Sequence, residues 1–191
     1  MRIDVHTHAF HPKIAAKVVA QLEKHYGIPP VGDGQLADLA ARLDRAGIRY
    51  CAVHSAATVP AQVRPANDWA IALQQQSDRV IAFGTLHPDY EDWTAELGRL
   101  QAAGIRGVKL HPDFQGFGLD DPRLRPWFGA MQGQFTLMVH IGDVLPPEQN
   151  PSSPAKLRSV LRQFPRLRVI ASHFGGYRHW QYVVPELAGM D

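Results

Sequence analysis

Histidine recurs where each apolar run of this chain gives out. His6 and His8 close the first run, and His54, His87, His111, His140 and His173 close the next five. From His54 onward the spacings are 33, 24, 29 and 33 residues, each the length of one strand–helix unit. A single histidine at a strand end says little. One at every strand end means that one edge of a sheet carries imidazole six times over. In parallel α/β folds that carboxyl edge is where ligands bind.

The runs support a parallel sheet. They are near-continuously apolar, as over residues 81–86 and 137–139, which suits strands covered on both faces. Strands are expected at residues 2–5, 49–53, 79–85, 107–110, 136–139 and 168–171. Amphipathic helices are expected between and after them, at residues 12–25, 35–45, 63–76, 90–102, 154–163 and 180–187. Leu36, Leu39, Ala40 and Leu43 form the stripe of a helix with one buried face. Asp33 is placed to cap that helix and Gly47 to stop it. Ser153 before Pro154 reads as a cap followed by proline at the first helical position. Two short repeats share this anatomy. Ala-Gly-Ile-Arg occurs at 46–49 and 103–106, and Leu-His-Pro-Asp at 86–89 and 110–113. Strand and helix in alternation give an α/β fold.

Composition narrows the function classes. The chain has 191 residues, 45% of them hydrophobic, and a formal net charge of +2, which is a soluble globular balance. No apolar run approaches the ~18 residues of a bilayer helix. The lone Cys51 excludes an intramolecular disulfide and a cysteine-based metal cluster. The first strand begins at once, without a signal-peptide core, so a cytoplasmic location is expected. Lys156, Arg158, Arg162, Arg166 and Arg168 read as a solvated helix face, without the aromatic interleaving of a nucleic-acid surface. The expected partner is a small-molecule substrate, with neither nucleic acid nor membrane.

His6 and His8 lie two apart in a strand and so share a face. Both imidazoles can grip one cation, and ligand type alone suits Zn, Mn, Fe or Ni. Asp4 shares that face, either orienting a ligand or capping the sheet. His140 before Ile141-Gly142-Asp143, and His173 before Phe174-Gly175-Gly176, surface from buried strands into glycine loops with room for a ligand. The segment 142–153, rich in proline, is a loop over the mouth, either selecting substrate or merely stiff. Phe10, Phe174, Tyr177 and Trp180 could line a pocket for a ring or serve packing. His11, His25 and His179 are expected at the surface or in loops.

The segments IDVHTHAF at 3–10, GVKLHP at 107–112, VHIGD at 139–143 and SSPAKLRSVLRQFPRLRVIASHFGG at 152–176, with Trp180, resemble the metal-dependent amidohydrolases. Within that superfamily the similarity is to the amidohydrolase-2 group of TIM-barrel hydrolases and decarboxylases. It spans essentially the whole chain. The resemblance implies a divalent metal, zinc first, held by His6, His8 and His140. His173 would be a second-metal ligand or an acid/base group. The implied reaction is hydrolysis of a small molecule by a metal-activated water. Alternatives are non-oxidative decarboxylation of an aromatic or unsaturated acid, or a metal-binding chain without turnover. A phosphoesterase led by the same histidine pair fits the GVKLHP and SHFGG context less well. Lys109 and His111 share a face and are the candidate substrate-binding pair. Lys109 has three readings: a carboxylated bridge between metals, a cation for a substrate carboxylate, or half of a structural ion pair.

One conflict remains. A complete eight-fold barrel takes about 250 residues, or about 31 per unit, so this chain holds about six units. The expected fold is a TIM-barrel-type single domain over residues 1–191 without the last two units. The aspartate that the family carries on strand eight is missing from it, and Asp191 is a poor substitute. Open strand edges invite pairing with another chain. A fragment of a longer enzyme, a homo-oligomer and a truncated relative each account for this, the fragment most simply.

Overall fold

The computed structural model describes residues 1–190, so Asp191 lies outside the described residues. In chain order the elements are β1 (Ile3–Thr7), α1 (Ala15–Tyr26), α2 (Leu36–Ala46), β2 (Tyr50–Val53), α3 (Val63–Gln76), β3 (Val80–Ala82), β4 (Gly84–Thr85), α4 (Trp93–Ala102), β5 (Gly107–Leu110), α5 (Pro112–Gln115), α6 (Arg125–Met131), β6 (Thr136–Val139), α7 (Pro154–Gln163), β7 (Arg168–Ala171) and α8 (Trp180–Leu187). All strand pairs are parallel, in the orders β1-β2-β3 and β4-β5-β6-β7. Strand order follows chain order, as in a TIM-type barrel. Among the described residues nothing pairs with the outer edge of β1 or of β7, so the barrel is open.

The third apolar run gives two strands rather than one. Phe83 is the break: its N–H still bonds Val53 O at 2.9 Å, whereas Gly84 already pairs with Val108. Its ring turns inward over Gly107, where an added Cβ would fall 2.4 Å from the Phe83 ring. Ala52, Phe83 and Met138 make a small inner cluster, and the main core lies between the sheet and the helices. The period of two assigns these sides. Val108 and Leu110 face the helices, so Gly107, Lys109 and His111 face inward. By the same parity Met138 and His140, and Ile170 and Ser172, are inward pairs.

The helix ends are partly as expected. Gly47 closes α2 at φ 63°, and Gly104 repeats the left-handed turn after α4 at φ 81°. Asp33 does not cap α2. Gln35 holds the cap position, and Asp33, two residues earlier, accepts the Gln35 N–H through Oδ1 at 2.8 Å. Ser153 sits at the cap of α7 but makes no side-chain cap bond. Helix α6 was not expected, because Pro126 and Gly129 interrupt the periodicity that would reveal it. No helix among the described residues is long and apolar enough to cross a membrane.

The junction between β3 and β4 rests on one buried amide. Asn67 Oδ1 accepts the Thr85 N–H at 2.7 Å, while its Nδ2 donates to Thr85 O at 3.0 Å and to Glu96 Oε1 at 2.7 Å. Glu96 is itself buried and is gripped by Arg99 at 2.6 Å. Burial alone would raise the Glu96 carboxyl pKa. The bonds from Arg99 and Asn67 outweigh it and hold the group below its ordinary value. Asn67→Ala strands both backbone groups of Thr85 and should cost about 2–4 kcal/mol in urea unfolding. Asp68→Ala removes only exposed ion pairs with Arg99 and Arg64 and should cost less than about 1 kcal/mol. Equal losses in the two variants would show that the amide clamp does not hold the junction.

Candidate functional site

Six imidazoles from five of the six strand ends meet at the carboxyl edge of the sheet. His6 and His8 have ring centroids 5.3 Å apart, and His54 lies 4.8 Å from the first and 4.7 Å from the second. His173 joins His6 at 4.7 Å to His140 at 4.8 Å. His140 then stacks on His111 at 3.9 Å, and His111 on Phe114 at 4.0 Å. The ring of His87 makes no such contact. It is buried and accepts the Asp89 N–H at 3.2 Å.

Lys109 lies below this cluster, 2% exposed, and donates from Nζ to Ser172 Oγ at 3.2 Å. No carboxylate among the described residues forms an ion pair with it. The structural ion-pair reading of Lys109 is therefore not met among the described residues: strand parity buries it on the inner side, where its hydrogen-bond partner is a hydroxyl. Burial pushes its ammonium down to about 7. Burial, followed by the Lys109 charge, holds His173 at about 4. Burial, then His173 and Lys109, holds His140 at about 3. His54 and His111 are also held well below the ordinary imidazole value, burial first. The rings are thus neutral near pH 7, the form in which imidazole ligates metals.

Hydrogen bonds sort the nitrogens. His8 Nδ1 lies 2.8 Å from His54 O. A carbonyl only accepts, so Nδ1 carries the proton and Nε2 keeps its lone pair. His111 Nδ1 accepts the Phe114 N–H at 3.4 Å, so its Nε2 bears hydrogen and meets Tyr26 Oη at 3.3 Å. Both His111 nitrogens are therefore engaged. His140 Nδ1 pairs with His173 Nε2 at 3.1 Å, and its buried Nε2 has no partner. Neither nitrogen of His54 has one, at 2% exposure.

Two groups bring potential ligand atoms within 4.8 Å of one another: His6, His8 and His54, and His111, Asp113 and His140. His54 and His140 each contribute orphaned, neutral, buried imidazole nitrogens, and His6 is half-buried and His8 exposed at the mouth; neutral imidazoles are donors a divalent cation takes, so the residues fit one. His140 falls in a different group from His6 and His8.

The loops hold this edge rigidly. Asp113 Oδ2 accepts from Ser152 Oγ at 2.7 Å, tying α5 to segment 142–153. That segment is no simple surface loop: Asp143, Asn150 and Ser152 are buried. His173, Phe174 and Gly175 all have positive φ, and the Trp180 indole N–H donates to His173 O at 2.9 Å. Tyr177 lies 5.5 Å from His173, and Phe10 stacks near His8 at 5.8 Å, whereas Phe174 points to solvent at 93% exposure. Asp4 Oδ1 accepts the His6 N–H at 3.0 Å and orients backbone rather than a ring. His179 lies in the turn before α8, one of the two placements expected of it, and is buried, its Nε2–H donating to Leu145 O at 2.8 Å. His54 and Asp113 had no assigned role. The only signal for His54 was its place in the strand-end series, and for Asp113 the second Leu-His-Pro-Asp.

Gly142, at φ 80°, lets the Tyr177 segment close on the His140 strand; an added Cβ would lie 2.2 Å from Tyr177 O. Gly142→Ala should cost about 2–4 kcal/mol, of which about 1–2 is the left-handed backbone. Gly129→Ala, where a Cβ meets nothing in helix α6, should instead stabilise by about 0.5–1 kcal/mol. Thermal melts of the two variants moving in the same direction would contradict this.

Comparison with known proteins agrees with the geometry. An uncharacterised TIM-barrel protein of Bordetella bronchiseptica superposes with TM-score 0.72 at 17% identity, over 96% of this chain and 70% of that one. A probable 2-pyrone-4,6-dicarboxylic acid hydrolase of Acinetobacter baumannii, with citric acid bound, gives 0.61 at 19% identity, over 91% and 58%. An amidohydrolase of Burkholderia multivorans with bound HEPES gives 0.52 at 12%, over 88% and 69%. The chain thus spans between 58% and 70% of the length of these structures. No curated protein matches it. The amidohydrolase family model matches residues 3–189, and the chain belongs to that family.

Proposed function

We propose that this chain carries the metal centre of a hydrolase acting on a small molecule. The observation that carries this is the convergence of six imidazoles on one sheet edge, with unpartnered buried nitrogens on His54 and His140 and the half-buried His6 and exposed His8 beside them, in a member of the amidohydrolase family. His6 and His8 anchor a divalent cation. A third imidazole completes a three-ligand set with an open position, a place the family resemblance gives to His140. Such a cation, zinc first and Mn, Fe or Ni next, brings the pKa of its water to about 7 and so supplies hydroxide at neutral pH.

The other side chains have roles of their own. His173, neutral and within 4.7 Å of the His6 ring, takes and returns a proton through Nε2. Its positive-φ backbone, pinned by Trp180, keeps the ring over the mouth. Lys109 and His111 bind substrate. An ammonium with a hydroxyl as its only near partner suits an anionic group, and a carboxylate on the substrate would supply the missing counter-charge. The dicarboxylic acid named for one structural relative supports that choice. The same placement also favours a second reading, decarboxylation, in which the carboxylate held by Lys109 is the group that leaves.

Elemental analysis of the purified chain should find bound divalent metal, and His6→Ala combined with His8→Ala should lose it. A panel of small lactones and unsaturated acids bearing carboxylates then separates the reactions. Water oxygen in the product marks hydrolysis, and carbon dioxide release marks decarboxylation. A wild-type chain that binds no divalent metal would defeat both.

A further inference from the structure

We infer that helix α1 is a lid over the mouth, latched by Tyr26 on His111, and that a carboxylate of the substrate takes the place of the latch. This rests on the reading of Lys109 and His111 as the substrate-binding pair. His111 can serve that role only through Nε2–H, because its Nδ1 accepts the Phe114 N–H. Yet Nε2–H already donates to Tyr26 Oη at 3.3 Å. The phenol oxygen thus stands where a substrate oxygen must arrive, and the two roles of His111 are compatible only if α1 moves. The rings at the tip of α1 close the same space. Tyr26 lies 6.0 Å from Phe114 and 6.0 Å from Tyr177, and His25 packs edge-on to Phe114 at 4.7 Å. His25 Nε2 also comes within 4.0 Å of Asp143 Oδ2.

Little holds the helix down except this tip. Of its 12 residues only Ala15, at the base, is buried. Val18, Val19, Leu22 and Tyr26 are half-buried along one stripe. Among the described residues, Tyr26 to His111 is the only hydrogen bond from α1 to anything beyond residues 10–34. Past Gly27 the chain runs exposed over residues 28–31. The base, in contrast, is pinned. Phe10 N–H bonds Gly34 O at 2.8 Å and closes the excursion, and the Trp69 indole N–H donates to Ala9 O at 2.8 Å. Base and latch lie at opposite ends of the helix, about 18 Å apart. With so little buried area and one outward hydrogen bond, α1 belongs to the low-stability end of the structure. A substrate carboxylate offers His111 a charged acceptor in place of a neutral phenol, which is the stronger hydrogen bond. It also gives Lys109 a counter-charge. Latch and ligand therefore compete, and the fraction of molecules with α1 open scales the apparent affinity.

Hydrogen exchange of the purified chain, read by mass spectrometry, tests the lid, and titration with benzoate tests what displaces it. Amides of α1 should exchange through a local opening whose rate is almost independent of added urea, whereas those of α3 and α7 exchange only with global unfolding. Tyr26→Phe keeps the ring and loses the hydroxyl. It should speed α1 exchange about 2–10-fold, the weight of one net hydrogen bond, and leave α3 and α7 unchanged. Tyr26→Ala should speed it further. Tyr26→Phe should also bind benzoate about 2–10-fold more tightly than the wild type. Saturating benzoate should speed α1 exchange in the wild type. The inference is overturned if α1 exchanges only with global unfolding, if Tyr26→Phe leaves that exchange unchanged, or if wild type and variant bind benzoate equally. Equal binding leaves Lys109 and His111 as carboxylate binders and removes only the latch. Benzoate binding to neither protein removes the substrate reading, and the competition of ligand with latch falls with it.

Discussion

An ammonium buried without a carboxylate is what the centre of this molecule must accommodate. Lys109 is 2% exposed and donates to the Ser172 hydroxyl. Burying an uncompensated charge is expensive, and the group responds by giving up its proton more readily. Its pKa falls to about 7. The same charge also acts on the rings above it, lowering His6, His54, His111, His140 and His173 beyond what their own burial does. Neutral rings have lone pairs, and lone pairs are what a cation needs. The strand period ties this chemistry to the fold. With Lys109 inward, Gly107 must lie inward two residues below and His111 two above. Gly107 is the gap that Phe83 fills. One strand thus supplies the floor, the charge and a wall of the site in four steps of chain.

Above that floor the imidazoles divide by how their nitrogens are spent. Toward β5, β6 and β7 they are spent on one another and on the protein: His111 on Tyr26 and the Phe114 N–H, His140 on His173. This half is stacked and hydrogen-bonded, save that the buried Nε2 of His140 has no partner. Toward β1 and β2, His54 has both nitrogens free and His8 has one. The proposed hydrolase centre would use both kinds of histidine. Ligands must hold lone pairs in reserve, whereas a proton relay must already be connected. The open edge of β1 leaves Ile3 and Val5 exposed at 45% and 40% on the opposite side of that strand.

Much of this was legible in the sequence, for identifiable reasons. Strands β5, β6 and β7 and helices α3, α7 and α8 match the expected bounds, because each is a clean apolar run or stripe flanked by glycine, proline or a charged turn. The first helix starts three residues later than periodicity suggests, since His11 and Pro12 begin a turn instead. The third run hid its break because Phe83 is as apolar as its neighbours; only a ring seated over Gly107 distinguishes it. The histidine series was visible as a series. Its division into two halves was not, because that depends on which carbonyl or amide each ring meets. His87 shows the limit. It occupies the same position in the pattern as His111 and ends in the same Leu-His-Pro-Asp, yet it makes no ring contact with the cluster.

The mouth owes its rigidity to backbone that would be costly elsewhere. Two consecutive non-glycine residues, His173 and Phe174, hold φ near 58° and 55°, and Arg178 holds 60°. Left-handed backbone at such residues costs about 1–2 kcal/mol each. It persists only where surrounding contacts over-determine it. Those contacts are present. Trp180 donates to His173 O, the Tyr177 N–H bonds Ile141 O at 2.8 Å, and Gly142 leaves the space that lets the two segments meet. A relaxed turn after β7 would release His173 from its position between His6 and His140. The strain is therefore the means by which a ring from the last strand reaches back across the sheet edge to the first.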